Sequence, residues 1–311
     1  TVNQYYSAWL ELQSLNEEDT SEQEDKSFED NLNVLCEHSD YSVSNLAKRL
    51  RHAHRANSQL RKVQREIIDT DFNFKEMLVG IEKAVDKVKV SKYTPLFYPP
   101  VTSRQNGVVE VLFSDWQIGK VAQHYNTEIG LRALKDYGQQ VHSFILDKQR
   151  TKQVDKVVFA SLGDIVEDHM KHGIQSAVAC DTGLSEQISN AIIYIWEYVL
   201  EPILQLGIHV EFVGIAGNHG SSQHKGMDIY KAGLYSYDYA IYTALKQLAK
   251  VGKYDNIDFN IPHGAFGYVE ICGNTVIYEH GYFNSATEKS MSDQMKKRGQ
   301  QIKKHVEYFR I

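Results

Sequence analysis

The chain has 311 residues, a formal net charge of −6, and 42% hydrophobic and 24% charged residues, the balance of an ordinary globular protein with room for one large domain and a smaller one. That balance argues against a uniformly basic nucleic-acid coat. No apolar run is long enough to span a bilayer, and residues 1–20 lack a signal-peptide pattern. The three cysteines, Cys36, Cys180 and Cys272, form no CxxC pair, which sets aside a disulfide framework, favours a reducing cytoplasm and leaves each as a small buried apolar residue.

In chain order, residues 16–30 (NEEDTSEQEDKSFED) are acidic and read as disordered or as a solvated helix face. A basic stretch follows at about 42–68, carrying Lys48, Arg49, Arg51, Arg55, Arg61, Lys62 and Arg65 with no acid among residues 48–65. Such a stripe is suited to phosphate backbones. Val43, Leu46, Leu50, Leu60, Val63 and Ile67 recur at helical spacing, and Ser42 is a candidate cap. Two readings stand side by side. One is a helix-turn-helix, with YSVSNLAKRL first and ANSQLRKVQREI as the reading helix. The other is a single amphipathic helix whose basic face is solvated or meets a protein partner or a second copy. Residues 74–90 are charged and helical in pattern, and Pro95, Pro99 and Pro100 then mark a linker. The expected organisation is an α-helical region over 1–105 and an α/β domain over 106–311.

Within that domain, NGVVEVLFSDWQIG reads as strand then loop, and 127–149 as a helix with Leu131, Leu134, Val141 and Ile145 on one face. DKVVFASLGD (155–164) is a strand then loop, 184–205 an apolar helix, IHVEFVGIAGNHG (208–220) a strand then loop, and 227–250 a helix. YVEICGNTVIYEHG (268–281) reads as a hairpin turning at Gly273-Asn274. The tyrosines between 230 and 242 have helical spacing and read as core. His169, His172 and Lys225 read as solvated loop residues.

Four strands therefore end in polar tips: Asp115 with Gln117, Asp164, Asn218 with His219, and His280. Loops at strand carboxyl ends are where α/β sheets place their sites. Carboxylates, amides and imidazoles together are a ligand set for divalent ions.

This order resembles the calcineurin-like metallophosphoesterase superfamily, whose pattern is D-x-H, G-D-x-x-[DE], G-N-H-[DE], a lone His, then G-H-x-H. Here these read Asp115-Trp116-Gln117, Gly163-Asp164-Ile165-Val166-Glu167, Gly217-Asn218-His219-Gly220 and His280-Gly281, over roughly residues 108–285. The DWQIGK form and the basic stretch are similar to bacteriophage-encoded members, which would place the protein in a host cytoplasm. The resemblance implies a β-sandwich flanked by helices and a dinuclear centre. Asp164 would bridge two divalent ions, with Asp115 and Gln117 on the first and Asn218 and His280 on the second. His219 would stand at the scissile phosphate, stabilising charge or protonating the leaving oxygen. Glu167 would orient Asn218 or a neighbouring histidine.

The chain departs from the pattern at three places. Gln117 offers an amide oxygen where the family has imidazole, which favours Mn2+, or Mg2+, over Zn2+. Gly220 replaces an acid. No G-H-x-H follows His280: His305 sits in a charged helical run, and His52-Ala53-His54 belongs to the basic stretch. Ending on VEYFRI, as an apolar strand begins, leads to the expectation that the domain lacks its G-H-x-H segment here. The leading expectation is a metal-dependent phosphodiesterase acting on DNA, exonuclease-like and similar to the double-strand-break repair nucleases of the superfamily. The alternatives are a nucleotide or cyclic-nucleotide phosphodiesterase or phosphatase, a non-catalytic binding scaffold on the same fold, and a DNA-binding regulator with an accessory phosphatase domain.

Overall fold

The computed structural model describes residues 30–31, 33–37, 41–94, 106–168, 179–220, 232–281 and 287–311, in places within 41–73 and at 106 by backbone alone. The acidic stretch before Asp30, the three linker prolines, His169, His172 and Lys225 lie outside the described residues. Among the described residues no helix is long and apolar enough to cross a membrane.

The chain divides into two compact units, Thr1–Asp71 and Phe72–Ile311. Helix α1 (Tyr41–Lys87) is continuous, and RHAHR is helical within it. The turn of a helix-turn-helix is therefore absent. Residues 41–79 contain neither glycine nor proline, so nothing interrupts the backbone ladder, and the single-helix alternative is the one the chain adopts. In the first unit the Ser44 hydroxyl donates to the Cys36 carbonyl at 2.6 Å, and Cys36 and Ala47 are buried.

The second unit begins well before the proline cluster. Ala84 is buried, the Ser91 N–H donates to Glu201 Oε1 at 2.8 Å, and the Tyr93 N–H donates to the Gly252 carbonyl at 3.2 Å. Gly80 permits the approach, since a Cβ there would lie 2.6 Å from the Ser185 carbonyl. The segment from residue 72 to 94 thus packs with the α/β body, and the units divide at 71/72 where composition pointed to 105/106.

That body is mixed α/β. Strands β1 (Asn106–Phe113), β2 (Gln153–Ser161), β3 (His209–Gly214) and β4 (Ile257–Asn260) form a parallel sheet in that spatial order. Helices α2 (Thr127–Thr151), α3 (Leu184–Tyr194), α4 (Glu201–Gln205) and α5 (Tyr237–Val251) supply the crossovers. A second sheet holds β5 (Phe266–Ile271), β6 (Asn274–Glu279) and β7 (Tyr308–Arg310), with β6 antiparallel to β5 and parallel to β7. Alternation along β2 separates two cores. Val157 and Phe159 join the helices through Leu134, Ile188 and Trp196, while Val158 and Ala160 meet Val269, Val276 and Tyr278 of the second sheet. Burying a side chain such as Phe159 or Ile188 stabilises by about 1.5–3 kcal/mol. Of the tyrosines expected in the core, Tyr237 and Tyr242 are buried, Tyr239 is half-buried, Tyr235 is exposed, and Tyr230 lies outside the described residues.

Between α3 and α4 the helix widens into a π turn over Ile195–Leu200. Pro202 has no N–H to give the Tyr198 carbonyl, and this carbonyl turns onto α2 at Gly138, where a Cβ would sit 2.0 Å from it.

Two connections differ from the pattern reading. The β5–β6 turn is Cys272-Gly273, one residue earlier than the composition implied. Both residues have positive φ (52° and 81°), and Asn274 already pairs with Ile271. This is the conformation whose twist suits a two-residue hairpin; Cys272 is exposed there and not buried as expected. Helix α6 (Glu288–Ile302) ends at Lys303 in the left-handed region, so His305 lies in the link to β7 and not in the helix.

Two ion pairs tie the second sheet down. Arg310 on β7 pairs with Glu110 on β1 at 2.9 Å, and the Tyr278 hydroxyl donates to the same carboxylate at 2.7 Å. Arg298 on α6 lies over the Phe266 ring and donates two hydrogen bonds, both 2.9 Å, to Glu279, with both side chains fully buried.

Cys272→Asn makes the turn Asn-Gly, better suited to positive φ, and raises stability by about 0.5–1 kcal/mol in urea denaturation. Arg298→Met strands the Glu279 carboxylate in the interior and lowers stability by about 3–5 kcal/mol in the same assay.

Candidate metal centre

Phe113, Ser161 and Gly214 are mutual partners at the last rungs of β1, β2 and β3, so the three following loops leave the sheet side by side. The first two are stitched together by backbone bonds. The Asp115 N–H donates to the Gly163 carbonyl (3.1 Å), Gln117 N–H to Asp164 (2.9 Å) and Ile118 N–H to Ile165 (2.9 Å). The second and third touch backbone to backbone: a Cβ on Gly163 would lie 2.1 Å from the Gly217 nitrogen, and one on Gly217 would lie 2.0 Å from Asp164 Oδ1. Both glycines are needed for that approach.

Asp115, Gln117 and Asp164 all have positive φ, at 56°, 41° and 54°. Non-glycine residues in this region cost on the order of 1–3 kcal/mol each and cluster at functional sites. The strain is held by Asp238, at the start of α5. Its buried carboxylate accepts from the N–H groups of Gly217 (2.9 Å), Ile165 (3.1 Å) and Asp164 (3.2 Å). Burial, and then the neighbouring charge of Asp164, push the Asp238 carboxyl up to about 6.

Four of the five expected metal ligands meet above this frame. Ligand atoms of Asp115, Asp164 and His280 all lie within 4.8 Å of one another. The His280 ring is set by its Nδ1–H, which donates to the Leu162 carbonyl at 2.8 Å, so that Nε2 faces Asn218 Oδ1 at 3.0 Å and Asp164 Oδ2 at 3.2 Å. An imidazole fixed through one nitrogen and turned with the other toward oxygen ligands is the arrangement of a metal-binding histidine. Two carboxylates, an amide oxygen and an imidazole nitrogen fit a hard-to-borderline dication such as Mn2+ or Mg2+. Burial alone would raise the Asp164 pKa, but the hydrogen bond and charge of His280, with His219, hold it below the usual range. Burial would lower His280, yet Asp164 and then Asp115 raise it on balance. The cluster favours positive charge at its centre.

Gln117 sits differently. Its Oε1 accepts a hydrogen bond from Lys120 Nζ. His219 stands beside the cluster, its N–H donating to Asp164 Oδ1 at 2.7 Å and its Nε2 4.0 Å from Asp164 Oδ2. Glu167 is placed to orient His219: His219 Nδ1 lies 3.1 Å from Glu167 Oε2 and 3.2 Å from the Glu167 carbonyl. Burial would lower the His219 pKa, but the bond from Glu167 and the charge of Asp164 raise it. Trp116 packs beneath the loop on Phe113 and Tyr137.

Of the basic residues on α1, Lys48, Arg49 and Arg55 are exposed, and Arg51 donates to Asn33 at 3.1 Å; the side chains of Arg61, Lys62 and Arg65 lie outside the described residues. Two residues at the metal centre were not anticipated from sequence. Asp238 follows the cap Ser236 and reads as an ordinary first-turn acid. Lys120 reads as a solvated lysine, although its separation of three from Gln117 is the only local signal of their contact. Compared with known proteins, the chain matches no family model and no curated protein.

Asp238→Ala leaves three buried N–H groups without their acceptor. It lowers stability by more than about 3 kcal/mol and weakens Mn2+ binding, read by denaturant midpoint and by titration calorimetry.

Proposed function

We propose that this protein is a metal-dependent phosphodiester hydrolase of the metallophosphoesterase type, acting on DNA. The observation that carries the reading is the meeting of Asp115, Asp164 and His280 donor atoms within 4.8 Å, each from a different strand end, with Asn218 on His280. Structural ion pairs do not call for acceptors gathered from four separate loops, with Asp115 and Asp164 on strained backbone, whereas a cation site does.

Asp115, Asp164, Asn218 and His280 would hold the metal, which supplies Lewis acidity toward a phosphate oxygen. Asp164 lies at the middle of the set, and its low pKa keeps it an anion. His219 would carry a proton on the Nε2 that faces Asp164. Its raised pKa makes the imidazolium available to give that proton to the departing oxygen of a phosphodiester. Glu167 holds the other ring nitrogen, fixing the ring and compensating the charge. DNA is favoured over a nucleotide-sized diester by the basic side of α1: positions 48, 51, 55 and 62 are spaced by three, four and seven residues along a continuous helix, and so share one side.

The test is hydrolysis of labelled single-stranded, linear duplex and closed circular DNA beside bis-p-nitrophenyl phosphate, with Mn2+, Mg2+ or EDTA. The expected result is metal-dependent cleavage of linear DNA, abolished in Asp164→Ala and reduced about 100- to 10,000-fold in kcat in His219→Ala. Cleavage of the small diester alone overturns the choice of DNA. Absence of turnover with either metal overturns the hydrolase and leaves the binding scaffold.

A further inference from the structure

The corner of the site at Gln117 is organised around a protein cation. The Gln117 N–H is anchored on the Asp164 carbonyl, and the Lys120 N–H donates back to the Gln117 carbonyl at 3.0 Å, closing a tight turn. The next residue is pinned as well, with the Val121 N–H on the Ala179 carbonyl at 2.8 Å. This turn brings Lys120 Nζ onto Gln117 Oε1. The same ammonium lies 3.9 Å from Glu167 Oε2, whose residue is buried, while the Lys120 side chain is 37% exposed. One cation is thus seated on the amide oxygen, balanced by a carboxylate and partly exposed.

The Gln117 amide oxygen is a neutral acceptor for that ammonium. An ammonium seated on that oxygen opposes a divalent ion at contact distance, because the two positive charges repel. Ligand atoms of Asp115, Asp164 and His280 gather within 4.8 Å of one another, and Gln117 is held by Lys120 instead.

We propose that Lys120 is the second positive charge of this site. The centre takes one divalent ion, on Asp115, Asp164, Asn218 and His280, and the Lys120 ammonium on Gln117 stands where a second ion would otherwise meet the phosphate. The role is that of a point charge toward an anionic oxygen, for which lysine is suited. This inference rests on the hydrolase reading above and assigns its charge inventory.

The experiment is equilibrium dialysis of the full chain against Mn2+ with elemental analysis, together with EPR of the bound ion. Steady-state kinetics on bis-p-nitrophenyl phosphate at saturating Mn2+ complete it. The expected result is one equivalent in the wild type with the spectrum of an isolated ion, and none in Asp164→Ala. Lys120→Ala keeps the one equivalent and loses about a hundredfold in kcat; Lys120→Arg, which preserves the charge, recovers part of it. Two equivalents with an exchange-coupled spectrum in the wild type overturn the proposal and leave the hydrolase reading standing. So does unchanged kcat in Lys120→Ala. No bound Mn2+ in the wild type overturns both.

Discussion

The site depends on one buried carboxylate. Asp238 belongs to α5, yet its oxygens collect N–H groups from the loops after β2 and β3. These loops turn sharply, so their amides point inward with no ladder to enter. An inward amide without an acceptor costs on the order of 1–3 kcal/mol. Asp238 removes that cost for three amides at once, and so offsets the left-handed backbone of Asp164. The register of β1, β2 and β3 brings the loops level; Asp238 makes their conformations tolerable; only then do Asp164, Asn218 and His280 converge.

The electrostatics have the same layered character. Asp238 lies beneath Asp164, and burial first, then the opposing charge of Asp164, push its carboxyl upward. His280 and His219 relieve Asp164 from above. Such a stack is best balanced with net positive charge over Asp164. The shape of the loops and the sign of the field therefore answer to one demand.

Much of this was legible in the sequence, and the remainder has identifiable causes. Strands ending in Asp115, Asp164, Asn218 and His280 follow from apolar runs that stop at polar residues, and the sheet places those tips at common edges. The basic stretch was equally compatible with two helices or one, because RHAHR carries neither a breaker nor a strong requirement to turn. The short strand β4 has only four residues, too few for alternation to register. Gln117 was legible as an unusual ligand position, but its contact with Lys120 depends on a tight turn that periodicity does not encode. Asp238 was the least visible of all: its partners lie 21 to 74 residues away, and its local context is that of any helix start.

The ion pair between Arg310 and Glu110 joins residues 200 positions apart in the chain. At ribosomal speeds of roughly 5–20 residues per second, Glu110 emerges on the order of 10–40 s before its partner. Early in that interval the sheet face that will meet the second sheet is open. The residues of the second sheet that meet β2, Val269, Val276 and Tyr278, lie on β5 and β6, so the apolar layer between the sheets closes only after residues 266–279 have emerged. A nascent chain paused before residue 266 leaves Val158 and Ala160 without those partners, an apolar surface of the kind that holdase chaperones recognise.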